Sequence, residues 1–440
     1  MRIHIKNGRL IDPAGGTDSV GDLYIAEGRI AAVRTAPSGF QADRIIDAAQ
    51  LVVCPGLVDL SARLREPGFE YKATLESEMQ AAVAGGVTSL ACPPDTDPPL
   101  DEPGLVEMLK FRARSLNQAR VLPLGALTVG LKGERLTEMA VLRDAGCVAF
   151  SQADAPIGDK QVLMRAFEYA TTFGFSVWLR PEDATLARGG VAHDGEIATR
   201  LGLSGIPACA ETVALSAILI LARETGARVH VCRLSTAAGV AMMREAKRTG
   251  LAITCDVSIH HVHFSEQDIG YFDPNCNLMP PLRGVQDREA IRAGLLDNVI
   301  DAVCSDHTPV DEDAKQLPFG EAEPGATALE LLLPLTLRWA HEAAIPLPKA
   351  LAAVTIAPLQ ILAQEGGGLV AGEPADLCIF DAQQRWRVEP AALMSQGKNT
   401  PLLGQEVKGK VRYTLVNGAV VYDSMLEKSP LRHHQTRQAR

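Results

Sequence analysis

The side chains able to do chemistry sit at the ends of short apolar runs. Ser305-Asp306-His307-Thr308 sets a carboxylate beside an imidazole, a pair suited to proton transfer, although an aspartate paired with an arginine is a sufficient explanation without catalysis. His261-Val262-His263 is the one His-x-His of the chain, and two imidazoles at that spacing could offer zinc two ligands or be plain core residues. Arg63, Arg65, Arg180 and Arg233 each follow an apolar stretch, with Asp95, Asp154 and Glu182 in comparable places. Planar guanidiniums so placed could grip an anion, knit an internal ion network with those carboxylates, or be surface residues. All three readings are open. Glu27 and Asp59 read as ordinary solvated or structural carboxylates.

Groups at strand ends need a frame that gathers those ends. From residue 57 onward, apolar runs at 57–60, 87–92, 121–127, 147–151, 176–179, 228–232, 252–257 and 299–304 alternate with amphipathic stretches. The amphipathic stretches lie at 74–84, 105–116, 136–145, 160–172, 212–224, 237–249 and 287–296. Eight such units predict an α/β chain folded as a (β/α)8 TIM-type barrel over 56–365, with reactive groups at the C-terminal ends of its strands. Residues 1–55 alternate β patterns with the turn signals Asn7-Gly8 and Glu27-Gly28 and predict an antiparallel meander. Gly366-Gly367-Gly368 opens a second β stretch over 366–428, so the two chain ends are expected to form one small β-sandwich domain. The last segment, 429–440, carries Arg432, Arg437 and Arg440 without an apolar pattern and is expected to be a disordered tail.

Composition narrows the function classes. Of 440 residues, 47% are hydrophobic and 22% charged, enough for a large core and without a disorder signature. Lys and Arg number 43 against 53 Asp and Glu, a formal charge of −10 that argues against a nucleic-acid partner. No run reaches the ~18 apolar residues of a membrane span, and the start Met1-Arg2-Ile3-His4-Ile5-Lys6 lacks a signal peptide's apolar stretch. No membrane partner and a cytoplasmic location are expected. Nine cysteines with no Cys-x-x-Cys read as reduced, mostly buried thiols.

Motifs in fixed order carry a resemblance. Asp59 to Gly68 is followed by Gly85-Gly86-Val87-Thr88, Pro93-Pro94-Asp95-Thr96, Gly130-Leu131-Lys132-Gly133 and the run from Ala145 to Ser151. Glu182-Asp183, Ser235-Thr236-Ala237, His260-His261, Pro280-Pro281-Leu282-Arg283 and Ser305 to Pro309 complete the series. Over roughly residues 50–330 this resembles the dihydroorotases of the amidohydrolase superfamily. The resemblance implies a metal site, and five of its six positions depart from the pattern. Ser61 and Arg63 stand where the family has His-x-His, and Arg180 and Arg233 replace two further histidines. Ala153 takes the place of an aspartate, or Asp154 if the register slips by one; Asp306 alone survives. Arg65 matches the arginine that pairs with the substrate carboxylate, whereas Asp95 and Met279 replace asparagines and Val310 a histidine.

Arginine stays protonated and has no lone pair for a metal. Zinc lowers the pKa of a bound water from about 15.7 to about 7, roughly 12 kcal/mol, and without it Asp306 would have no water to activate. The expectation is therefore no metal, no cofactor and no intact catalytic residue, with Asp306 vestigial. The chain then resembles most the non-catalytic dihydroorotase homologues that associate with aspartate transcarbamoylase in pyrimidine biosynthesis, as a scaffold in a hetero- or homo-oligomer. Two alternatives stay open. One is an active cyclic amidohydrolase, dihydroorotase or hydantoinase-like, with zinc on Asp306, Asp154 and His261. The other is an anion-sensing module in which Arg63, Arg65, Arg180, Arg233 and His307 grip carbamoyl aspartate or phosphate.

Overall fold

The computed structural model describes residues 1–426. Eight strands run parallel in chain order: Leu57–Asp59, Val87–Cys92, Arg120–Ala126, Ala149–Ser151, Ser176–Leu179, Arg228–Val231, Ile253–Ser258 and Ala302–Cys304. Their registers follow from continuous apolar runs buried on both faces, as parallel sheets require. The barrel is nearly closed where the chain beyond the eighth strand meets the chain beyond the first. There His307 N–H donates to Ser61 O at 3.0 Å and Arg63 N–H to His307 O at 2.9 Å. Asp59, fully buried, reinforces this seam by accepting the Ser305 N–H at 2.7 Å and the Ser305 hydroxyl.

Helices cover the outside for local reasons. Leu75–Ala84 starts at a reciprocal cap between Thr74 and Ser77, and Ala237–Arg248 at Thr236, whose hydroxyl accepts the Gly239 N–H. Lys160–Phe173 buries Leu163, Ala166, Phe167 and Ala170 at three- and four-residue spacing, then stops at left-handed Gly174. The opposite end of the barrel is plugged by Leu359 and Leu362, which pack with Val58, Leu124, Ala149 and Trp178.

Both chain ends join one β-rich domain, built as a single eight-stranded sheet. The meander holds for Ile3–Asp12, Thr17–Ala26 and Arg29–Val33, which pair antiparallel. Arg44–Asp47 and Val52–Pro55 depart from it by lying parallel to Ile3–Asp12. The intervening chain crosses back before each re-enters, and alternation in sequence carries no strand direction. Val52–Pro55 then pairs antiparallel with Leu377–Arg387, which joins the N-terminal half to the C-terminal one. The expected tail at 429–440 lies outside the described residues, as do the last two residues of the 366–428 segment. No helix among the described residues is long and apolar enough to cross a membrane.

Between the last long strands a strap reaches the barrel mouth. Asn399 donates to Thr308 O at 2.9 Å and Gly325 O at 3.0 Å and accepts the Val310 N–H at 3.0 Å. Ser395 and Gln396 bond to the buried carboxylate of Glu78. The loop that carries Asp306 is thus held from the strand, the seam and the strap. Ser305→Ala leaves a buried Asp59 oxygen without its hydroxyl donor and should cost about 1–3 kcal/mol in urea unfolding; an unchanged midpoint would remove the seam from the account.

Candidate functional site

At the barrel mouth three guanidiniums converge on one carboxylate. Asp154 Oδ2 accepts from Arg63 Nη2 at 2.5 Å, while Oδ1 accepts from Arg180 Nε at 2.7 Å and from Arg233 Nη2. Arg63 also reaches Asp95 through Nε at 2.7 Å and Thr308 Oγ1 through Nη1 at 3.0 Å. Arg180 forms a two-pronged pair with Glu182 at 2.6 and 3.0 Å, and Arg233 Nη1 donates to Asp306 at 3.0 Å and to Met279 O at 3.2 Å. The three arginine side chains are 4–5% exposed, so these contacts are their whole solvation. Burial disfavours the charge on each guanidinium, yet the facing carboxylates, Asp154 common to all three, push all three above the ordinary arginine range.

Local backbone aims these groups inward. Ala153, Arg233 and Asp306 all have positive φ, at 50°, 54° and 51°, and Arg65 adds a fourth at 60°. Non-glycine residues take this left-handed conformation only where surroundings over-determine it, at about 1–3 kcal/mol each. Here the surroundings are ionic: Arg233 N–H donates to buried Asp256 at 2.6 Å, and the following Ser235 and Thr236 give four hydrogen bonds to Glu211. Glu211 was not singled out from sequence. Its signal is an acid in the first turn of Cys209–Thr225, ahead of a long apolar run.

The arginine–carboxylate constellation comes together; other candidates do not join it. Ser61 is buried at the seam, where its carbonyl serves the backbone. Ala153 offers no donor, and its turn presents Asp154 instead. Arg65 lies aside, donating to Pro309 O at 2.8 Å and standing 3.8 Å from Glu323. The anion-binding set needs correction, because Arg63, Arg180 and Arg233 already have carboxylate partners. His307 is not in it: the imidazole is fully buried, donates through Nε2 to Glu78 at 2.5 Å and accepts the Ala328 N–H at Nδ1. The His-x-His is also corrected as a ligand pair. His261 Nε2 donates to Pro281 O and His263 Nε2 to Leu335 O, and burial holds both imidazoles down, to about 4.

The residues present do not fit a catalytic zinc. The proposed set of Asp306, Asp154 and His261 is not brought together; among the described residues the one group of three ligand atoms within 4.8 Å of one another is His230, Cys232 and Asp256. Two of its three side chains are engaged: His230 with Thr254 at 2.8 Å and Asp256 at 3.0 Å, and Asp256 with Arg233 N–H. Asp95, Asp154, Glu182 and Asp306 surround the arginines, so three guanidiniums face four carboxylates and one negative charge is left over. Net repulsion is therefore not what keeps a cation out. Zinc needs lone pairs at about 2.0–2.2 Å from nitrogen or oxygen, and here each carboxylate already accepts N–H bonds while four histidine positions hold Ser61 and arginines.

The barrel, the end-to-end β domain and the strand-end cluster define an amidohydrolase-type fold, and comparison with known proteins narrows it. L-hydantoinase from Arthrobacter aurescens superposes with a TM-score of 0.85 at 23% identity over 96% of both chains. Residues 50–238 match the dihydro-orotase-like family and residues 190–422 the amidohydrolase family. A dihydroorotase-like protein of Pseudomonas aeruginosa is 44% identical over 423 residues, 96% of this chain and 100% of the relative. A protein named dihydroorotase from Syntrophotalea carbinolica is 40% identical over 422 residues, 96% of this chain and 99% of the relative. The chain belongs to the dihydroorotase-like family of amidohydrolases.

The pH dependence of the cluster follows from Asp154. Burial alone would raise its carboxyl, but Arg233, Arg63 and Arg180 together hold it well below the usual carboxylate range. A depressed folded pKa gives stability that is present above the unfolded value of 3.8 and lost as pH falls towards the folded one. Asp154→Asn should therefore destabilise the protein at pH 7 by about 2 kcal/mol, less than the 3–5 typical of a fully buried pair because 34% of this side chain is exposed. The difference should narrow below pH 4 in denaturant unfolding; a pH-independent difference would contradict the ionic account.

Proposed function

We propose that this dihydroorotase-like chain is a catalytically inactive subunit that serves as a structural partner of the aspartate transcarbamoylase catalytic chain in pyrimidine biosynthesis. The observation that carries the first half is the occupancy of the barrel mouth. Cyclic-amide hydrolysis needs an activated water, and the side chains at Arg63, Arg180 and Arg233 place donors where lone pairs would be needed. Asp306, the remaining carboxylate of the implied metal set, accepts N–H groups from Arg233 and Arg63 at Oδ1, so that oxygen is engaged by cationic donors.

The second half rests on a contrast and on the resemblance drawn from the motifs. Seam, caps and strap are all built, while the chemistry-bearing positions hold an ion lattice, as expected where folding and surface matter and turnover does not. The alternative, an active cyclic amidohydrolase with an atypical zinc site, draws support from relatives that carry the name dihydroorotase. One experiment separates them. The purified chain is assayed with dihydroorotate and carbamoyl aspartate, and then mixed with aspartate transcarbamoylase for native mass determination. The proposal expects no turnover of either compound and a stoichiometric complex of larger mass. Ring opening by the isolated chain would establish the alternative, and a lone chain that leaves the transcarbamoylase mass unchanged would remove the scaffold role.

A further inference from the structure

A second cleft lies at the opposite end of the barrel from the arginine cluster. It encloses about 560 Å³ between the helix Pro103–Ser115, the strand Arg120–Ala126 and the final hairpin of the β domain, a volume typical of small-molecule pockets. No carboxylate lines it, although the chain as a whole is acidic. Lys110, Arg114 and Arg120 do. Arg120 is neutralised by Asp376, with Nη2 to Oδ1 at 3.0 Å, and so is spent. Lys110 and Arg114 form no ion pair among the described residues.

Two details suit a ligand. The Lys110 ammonium rests on the bare face of Gly146 and donates to Ala145 O at 3.2 Å; a Cβ at Gly146 would lie only 1.7 Å from Nζ. Gly146 is the left-handed C-cap of the helix Met139–Ala145, at φ 112°, and its missing side chain leaves room for the Lys110 tail. Gln118 Oε1, also on the wall, is buried and has no hydrogen-bond donor. Such an acceptor costs about 1–3 kcal/mol unless something donates to it. Burial and then the neighbouring Arg114 push the Lys110 ammonium down, the state that an arriving anion would relieve.

We propose that this cleft binds a small organic anion. Its charged head sits between Lys110 and Arg114, its apolar body lies against Leu122 and Val148, and a hydroxyl or amine donates to Gln118 Oε1. The cleft is far larger than an inorganic ion, and its apolar wall gives such an ion nothing to hold. The proposal is independent of whether the barrel mouth catalyses.

Calorimetry and ligand-observed NMR on the full chain test it with 4-aminophenyl phosphate, inorganic phosphate and aniline. We expect 4-aminophenyl phosphate to bind one to one and inorganic phosphate and aniline each at least tenfold more weakly. Arg114→Glu, a change at an exposed side chain without partners, should weaken binding at least tenfold at unchanged Tm, and Arg65→Ala at the barrel mouth should leave it intact. No binding of 4-aminophenyl phosphate, equal binding by Arg114→Glu, or loss in Arg65→Ala instead would each overturn the proposal. Equal affinity for inorganic phosphate would overturn the assignment of an organic ligand.

Discussion

One carboxylate, Asp154, receives N–H donors from Arg63, Arg180 and Arg233, and the barrel mouth depends on that convergence. Three like charges buried within reach of one another are unfavourable unless an opposite charge lies among them. Asp154 supplies it, and Asp95, Glu182 and Asp306 take up the remaining donors. The arginines come from the ends of the first, fifth and sixth strands and the carboxylates from the second, fourth, fifth and eighth. The lattice therefore cross-links the ring of strands through many N–H to oxygen bonds.

The backbone beneath that lattice keeps its strained turns. Ala153, Arg233 and Asp306 sit in left-handed conformation, each stabilised by hydrogen bonds that chemistry as such does not need. The ionic and hydrogen-bond contacts explain why these turns hold. Fold and site are separable: the barrel sets where these side chains stand, and their chemical identity decides what they can do there.

Much of this was legible beforehand. Apolar runs of four to seven residues located all eight barrel strands, because strands buried on both faces cannot be polar. Ends were harder: the run at 299–304 yields only Ala302–Cys304, since Val299 and Ile300 pack as core beside the preceding helix. The arginines were legible as strand-end groups with carboxylate neighbours. What was not legible was distance. His307 meets Glu78 across 229 positions and Asn399 meets Thr308 across 91, and no local pattern announces such pairs. The shift from Ala153 to Asp154 depended on one backbone turn, and parallel pairing of 44–47 and 52–55 depended on where loops cross.

The central claim is that donors from arginine, not a metal, hold the barrel mouth together. Anomalous diffraction at the zinc edge, from crystals of this protein grown with excess zinc, tests it most directly. The account predicts guanidinium density around Asp154 and no zinc peak within bonding distance of Asp154 or Asp306. A zinc peak coordinated by either carboxylate, with Arg63, Arg180 and Arg233 swung aside, would contradict it.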